Sequence, residues 1–184
     1  MKARWFRNTV NERCEYALKG EFVSVFEREQ SSLQRLAFLL TANSGIAKRC
    51  LMRAFRDCIA SNSVYRGWAL CWTRRMIIRN AISLVMGLED PSFVDTHDYA
   101  GDGLVASFPD VSSSAIAGFE SILDLPKFDR FVFVICDFER YSMHDCASLL
   151  GTSPKEISLA RERVCNLVGQ FNEFRDISRN FAMR

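Results

Sequence analysis

The chain has 184 residues, of which 48% are hydrophobic and 25% charged, and its net charge is +2. This apolar content excludes a wholly disordered chain, and the ordinary charged fraction excludes a simple filament. The apolar runs are far shorter than the roughly 20 residues that cross a bilayer, and the start of the chain lacks the apolar region of a secretory signal. We therefore expect a cytoplasmic protein that does not insert into membranes.

Charge is distributed unevenly along the chain. Residues 1–88 hold fifteen Lys/Arg and six Asp/Glu, a net charge of +9, whereas residues 89–184 hold nine and sixteen, a net charge of −7. This division favours two domains with different partners, and the basic half suits nucleic acid or an acidic protein face. The alternative is that the two halves dock on each other through these charges.

Seven cysteines and two histidines give little support for metal binding or catalysis. No two cysteines are spaced as Cys-x-x-Cys, and most lie within apolar helical patterns, which indicates buried free thiols in a reducing compartment. Phosphate-binding, nucleophile-elbow and zinc-protease motifs are all missing from the sequence. We therefore expect no cofactor, no metal and no catalytic residue.

The first 88 residues carry helical periodicity almost throughout. The turn Thr41-Ala42-Asn43-Ser44-Gly45 separates two of the apolar runs and is suited to cap the helix that follows it. The segment Gly87-Leu88-Glu89-Asp90-Pro91 ends this helical bundle. The predicted helices are approximately residues 10–30, 33–40, 46–59 and 64–86.

Residues 89–113 have a different composition, with two prolines, two glycines, six acids and no Lys or Arg. This predicts an acidic linker between a first helical domain at 1–88 and a second at 114–184. In the second domain, helices are expected near residues 115–123 and 128–138. The latter segment is rich in β-branched and aromatic residues and could also be a strand, but Pro126 favours the start of a helix.

Two further helices have the clearest local signals in the chain. Ser142, followed three residues later by an acid, is an N-terminal capping pattern, and Gly151 suits a left-handed C-cap. Ser153 and Glu156 form a capping box around Pro154, which fits the first helical position. Two helices joined by a tight turn with glycine form a helix-turn-helix, whose second helix enters the major groove in DNA-binding proteins. The inner stripe of that helix is predicted to be Ile157, Ala160, Val164, Leu167/Val168 and Phe171.

The solvent side of this second helix is the candidate surface for duplex DNA. Residues 139–168 hold four basic and four acidic side chains, so few positive charges are available for phosphate. The alternative is a helix-turn-helix that serves only for packing or for binding another protein. The candidate DNA-binding residues are Ser153, Lys155, Glu156, Ser158, Leu159, Arg161, Glu162 and Arg163.

The combined pattern resembles the extracytoplasmic-function sigma factors of bacterial RNA polymerase. Across residues 114–170 the resemblance rests on Leu125-Pro126-x-x-x-Arg130 and on Ala147-x-x-Leu150-Gly151-Thr152-Ser153. Across residues 20–86 it rests on Leu33-x-Arg35-Leu36-Ala37 and on Arg66-x-Trp68 before a basic helix. The resemblance implies an all-α fold of two small helical domains. It also implies promoter DNA, the clamp and flap regions of the RNA polymerase core, and an anti-sigma factor as partners.

The resemblance further implies specific contacts in the first domain. Its departures from the family pattern place basic residues where acids usually meet the polymerase clamp, and such a charge reversal costs several kcal/mol at an interface. An alternative is therefore a protein-interaction regulator on a sigma-like fold. For the tryptophans the alternative is core packing, and for the arginines it is a solvated face. The implied DNA-binding residues are Trp68, Trp72, Arg74, Arg75 and Arg79, and the implied polymerase-binding residues are Lys48, Arg49, Met52 and Arg53.

The composition of residues 89–113 predicts where proteases cut first. Limited proteolysis followed by mass spectrometry of the fragments should show initial cleavage within this segment, because it offers little apolar surface to bury. A protected fragment spanning residues 80–125 would contradict the linker assignment.

Overall fold

The computed structural model describes residues 16–61, 63–87 and 119–168. These residues are all-α, as predicted: they contain helices and turns, no strand, and one isolated antiparallel bridge between Tyr16 and Tyr65. None of the described helices is both long enough and apolar enough to cross a membrane. The linker predicted at 89–113 and the inward position predicted for Phe171 lie outside the described residues.

The helices fall into two groups along the chain. A 3₁₀ turn at Arg66–Trp68 precedes the last helix of the first group, and a π-helical turn at Val134–Phe138 continues the second helix of the second group. The first group is α1 (Lys19–Arg28), α2 (Gln30–Thr41), α3 (Ser44–Ala60) and α4 (Ala69–Met86). The second group is α5 (Glu120–Leu123), α6 (Lys127–Phe133), α7 (Met143–Leu150) and α8 (Pro154–Val168).

The prediction of one continuous helix over residues 10–30 is wrong in the part that the structure describes. The Ala17 amide donates to the Val64 carbonyl oxygen at 2.7 Å, which holds this stretch extended. The helix begins only at Lys19, where the Glu21 carboxylate accepts from the Leu18 amide at 2.8 Å. Glu29 then separates α1 from α2. Pairing with a distant segment has therefore overridden the local helical pattern.

The predicted helix caps are confirmed. Asn43 Oδ1 accepts from the Ile46 amide at 2.9 Å, and Ser142 Oγ accepts from the Asp145 amide at 3.1 Å. The segment at 128–138 is helical, so the strand alternative is excluded. Each of these signals acts between residues close in sequence, which is why the sequence was sufficient to predict it.

Buried apolar residues from both groups form a single cluster. In the first group, α2, α3 and α4 pack on one another, and in the second, α8 packs on α6 and α7 through Ile157, Ala160 and Val164. Of the predicted pair Leu167/Val168, Leu167 is 45% exposed and so does not point inward, and the Val168 side chain lies outside what the structure describes. The expectation of buried thiols is confirmed for Cys50, Cys58, Cys136 and Cys146, and it is wrong for Cys71 and Cys165, which are exposed.

Arg130 connects the second group to the first. Its side chain is buried, and its guanidinium donates to the carbonyl oxygens of Leu123 at 3.1 Å and Leu125 at 3.4 Å. It also donates to the Leu40 carbonyl oxygen at 3.4 Å, near the C-terminal end of α2. The cation therefore satisfies carbonyl groups at two helix ends, where a positive charge is favourable.

Two glycines give a matched test of the turn between α7 and α8. Gly151 has φ +64°, where a side chain is strained although space is available, whereas Gly20 is helical with open space around it. We expect Gly151→Ala to lower the free energy of unfolding by about 1 kcal/mol. Gly20→Ala should raise it by about 0.5 kcal/mol. Denaturant unfolding measures both, and equal effects of the two changes would contradict the predicted role of Gly151.

Candidate nucleic-acid interface

An ion pair between Arg74 of α4 and Glu139 joins the two helical groups. The Arg74 Nε and Nη2 atoms donate to the two Glu139 carboxylate oxygens at 2.6 and 2.5 Å, and Nη1 donates to Ser32 Oγ at 2.9 Å. The Glu139 side chain is only 7% exposed, and its hydrogen bonds raise the pKa of Arg74. All three guanidinium nitrogens of Arg74, a candidate DNA-binding residue, thus donate hydrogen bonds to other residues of the chain. A contact between a basic helix and an acid of the other half is what the docking alternative expects.

A groove of about 1000 Å³ lies beside this ion pair, between the two groups. Arg28, Arg35, Cys71 and Tyr141 contribute to its walls. Burial, followed by the neighbouring charge of Arg74, lowers the pKa of Arg35. The groove is therefore lined with positive charge that is already partly balanced by acids of the chain.

The other arginines of α4 face a smaller groove between α4 and α7. Arg75 and Arg79 line it together with Ser148 and Leu149. Burial raises the pKa of Tyr141, while the charge of Arg75 and a hydrogen bond with it act in the opposite direction. Arg79 is exposed one helical turn further along. Of the three candidate arginines in α4, Arg79 is thus the most accessible to a partner.

The two candidate tryptophans have different surroundings. Trp68 is 66% exposed, whereas Trp72 packs on the core and its Nε1 is buried with no hydrogen-bond partner among the described residues. Trp68 meets the ring of Tyr65 edge to face at 5.6 Å, and Tyr65 stacks on Tyr16 at 5.1 Å. These three rings, hereafter the aromatic cluster, lie on the surface at the N-terminal end of α4.

The sequence alone did not reveal the two tyrosines of the aromatic cluster. Tyr65 stands three residues before Trp68, a spacing that suggests a shared surface only once the 3₁₀ turn is known. Tyr16 joins the cluster through the bridge to Tyr65. Arg66, between Tyr65 and Trp68 in sequence, forms an ion pair with Glu21 of α1. The exposed rings of the cluster therefore lie next to a guanidinium group, that of Arg66, which is already paired with a carboxylate of the chain.

Both arginines of α8 form ion pairs with aspartates of the chain. Arg161 donates to Asp137 at 2.7 and 3.4 Å, and Arg163 donates to Asp129 at 2.6 and 3.1 Å. The Asp129 residue is only 4% exposed, and its hydrogen bonds raise the pKa of Arg163. Both guanidinium groups therefore hold α8 against α6 and the π-helical turn.

The remaining candidates on α8 divide into cap residues and an exposed face. Ser153 and Glu156 form the predicted capping box, and hydrogen bonds from the Thr152 hydroxyl and then the Ser153 amide lower the pKa of Glu156. The face itself carries one basic and one acidic residue and an apolar side chain that is 45% exposed. Its members are Lys155, Ser158, Leu159 and Glu162.

The candidate polymerase-binding residues lie along α3 and differ in exposure. Arg49 is exposed, and Lys48 and Met52 are half-buried, with Met52 packed on the core. Arg53 is only 8% exposed. The accessible part of this candidate face therefore consists mainly of Lys48 and Arg49.

The ion pair between Arg163 and Asp129 predicts a structural effect of substitution. Arg163→Ala should lower the melting temperature, because it leaves a buried carboxylate without its cation. Arg163→Lys should recover only part of the loss, because the ammonium group keeps the positive charge but cannot make the bidentate contact. Lys155→Ala, on the exposed face of the same helix, is the control and should leave the melting temperature unchanged.

Thermal unfolding followed by circular dichroism measures these changes. Loss of affinity for duplex DNA in Arg163→Ala at an unchanged melting temperature would contradict the structural assignment and support direct DNA contact.

Neither a metal site among the described residues nor a similar known protein points to a function. Within residues 16–61, 63–87 and 119–168, no three His, Cys, Asp or Glu side chains are grouped so that they could hold a metal ion. Comparison of the chain with protein-family models, curated proteins and solved structures gives no match.

Proposed function

We propose that the protein is a sigma-factor-like transcription factor, acting in the cytoplasm, that binds promoter DNA together with the RNA polymerase core. The observation that carries this proposal is the aromatic cluster, which keeps large rings exposed at the start of a basic helix. The three exposed rings are in contact and form a contiguous apolar patch, and such a patch favours a surface that a partner covers.

Unpaired bases are the partner that suits this surface best. The Trp68 ring is mostly exposed, and base stacking on an aromatic side chain contributes about 1–3 kcal/mol per base. Arg79 is exposed on the helix that follows Trp68, where a guanidinium group can contact the phosphate backbone. Trp72 contributes by packing α4 on the core rather than by stacking. The first helical group would accordingly bind the opened strand of a promoter.

In this proposal α8 binds duplex DNA through Lys155 and Ser158, while Arg161 and Arg163 position the helix. With a single lysine on the exposed face, phosphate contacts by α8 are few, and affinity depends chiefly on the first group and on polymerase. Lys48 and Arg49 would form the accessible part of the polymerase-binding surface, which has the opposite charge from the family pattern.

A second candidate function is supported by the exposed face of α8. Both arginines of this helix are engaged by acids of the chain, and the face has no net charge and an exposed Leu159. Such a face suits a protein partner better than a polyanion. In this alternative the chain is a regulator that binds a polymerase subunit or another protein without reading a promoter.

Binding to a fluorescent single-stranded oligonucleotide tests the main proposal. Trp68→Ala should weaken binding about 5- to 150-fold through loss of one stacked base. Arg79→Ala should reduce the salt slope by about 0.7 through loss of one phosphate contact. Leu159→Ala, an exposed apolar residue on α8, is the matched control and should leave single-strand binding unchanged.

Two outcomes separate the candidate functions. Copurification of RNA polymerase with the protein, together with DNA binding that falls with salt, supports the sigma-like function. Copurification of polymerase without binding of single-stranded or duplex DNA at any salt concentration would reject promoter binding and favour the protein-interaction regulator.

A further inference from the structure

Two grooves between the helical groups differ in their balance of charge. The larger groove, beside the ion pair of Arg74 and Glu139, has Glu29 and Glu139 in its walls as well as three arginines. The smaller groove, between α4 and α7, has a volume of about 360 Å³, and its walls contain no carboxylate of the described residues. The six residues that line it are Arg75, Arg79, Ile82, Ser83, Ser148 and Leu149.

The spacing of residues along α4 places the polar side chains of the smaller groove on one face of the helix. Arg75, Arg79 and Ser83 stand four positions apart, so they occupy successive turns. Arg75 is half-buried and Arg79 is exposed. The opposite wall belongs to the last turn of α7, where Ser148 is exposed. Two guanidinium groups and a hydroxyl group from the two helical groups thus line the same cavity.

The positive charge of this groove is not balanced by the part of the chain that the structure describes. Neither Arg75 nor Arg79 forms an ion pair with a carboxylate of the described residues, whereas Arg74 of the same helix binds both oxygens of Glu139. Like charges four positions apart on a helix repel each other. The C-terminal end of α7 contributes only about half a negative charge, so two full positive charges exceed it.

We propose that this groove, hereafter the arginine groove, binds the terminal phosphoryl group of a small phosphate monoester. Such a group carries about 1.5 to 2 negative charges at neutral pH and three acceptor oxygens, which match two guanidinium groups and the Ser148 hydroxyl. A carboxylate or a phosphodiester carries a single charge and would leave one arginine unbalanced. Ile82 and Leu149 supply apolar contact for the organic part of the ligand.

A ligand in the arginine groove would contact α4 and α7 at the same time and so connect the two helical groups. A molecule that binds only the folded arrangement stabilises it to an extent that rises with its concentration. This inference goes beyond the proposed function, because it requires neither nucleic acid nor polymerase. Arg79 is also the proposed phosphate contact of the single strand, so the ligand and an oligonucleotide would compete for this side chain.

Nuclear magnetic resonance of the full chain labelled with nitrogen-15 tests the proposal. Phenyl phosphate is titrated at neutral pH and constant ionic strength, with sodium chloride as the balancing salt. We expect saturable shifts of amide and arginine side-chain signals, confined to residues 75–83 and 147–149. Dimethyl phosphate, a singly charged mimic of the nucleic-acid backbone, should bind about 10-fold more weakly or less, because it forms fewer charge-assisted hydrogen bonds.

Variants on both walls of the arginine groove assign the binding to it. Arg79→Gln should weaken binding of phenyl phosphate about 10- to 150-fold through loss of a charge-assisted contact. Ser148→Ala, on the wall from the other helical group, should weaken it about 2- to 10-fold. Arg28→Gln is the matched control for loss of one positive charge. The Arg28 side chain is 67% exposed and lies outside the arginine groove, so its loss should leave the affinity unchanged.

Three results would overturn the proposal. Absence of saturable shifts in the unaltered chain would reject the site, and this measurement needs no variant to fold. Equal affinity for dimethyl phosphate would assign the groove to a phosphodiester instead of a monoester. Equal losses in Arg28→Gln and Arg79→Gln would indicate general attraction of anions by the basic half. Binding of the oligonucleotide to Trp68→Ala is measured separately, so failure of the proposed function and failure of this inference are distinguishable.

Discussion

The arrangement of the two helical groups depends on the ion pair between Arg74 and Glu139. The acid is almost fully buried, so removing its cation would leave a charge that water cannot reach. The hydrogen bond from Arg74 to Ser32 fixes the guanidinium group against α2 as well. Arg130, which reaches the end of α2 from α6, adds a second contact between the groups. Together these two arginines supply specific polar contacts between the groups, beside the apolar cluster that the groups share.

This arrangement limits what the basic half of the chain can offer a partner. Arg74 is committed to Glu139, and Arg75 is half-buried in the groove between α4 and α7. A nucleic acid that used Arg74 would compete with a buried carboxylate held by two hydrogen bonds, and it would have to separate the groups to do so. Trp68 and Arg79 stay accessible without any rearrangement. Of the arginines of α4, Arg74 therefore adds little to the positive surface that is available in this arrangement.

Three acids of the second helical group are likewise engaged by arginines of the chain. Asp129, Asp137 and Glu139 each bind an arginine of the chain, and two of these arginines belong to α8. A helix held by its own arginines is well positioned but has little charge left for phosphate. The two ion pairs thus fix the orientation of α8. Because they engage both arginines of the helix, they also weaken the case for strong DNA binding by α8 alone. Asp137 in the π-helical turn contacts α8 of the same group, and Glu139, directly after the turn, contacts α4 of the other group.

The sequence by itself determined the features that act over three or four residues. Helical periodicity, the caps at Asn43 and Ser142, and the left-handed turn at Gly151 were all predictable, because each depends on neighbours within one helical turn.

Only the tertiary structure decided the contacts between distant residues. Arg74 and Glu139 are 65 positions apart, and Arg163 and Asp129 are 34 apart. Periodicity indicates that an arginine lies on a helix surface, but it does not indicate which carboxylate the folded chain brings to it. For the same reason the sequence did not reveal that the stretch around Tyr16, just before α1, is extended and paired with Tyr65. In each case packing of separate elements overrode or completed the local preference, because burial and ion pairing act through space rather than along the chain.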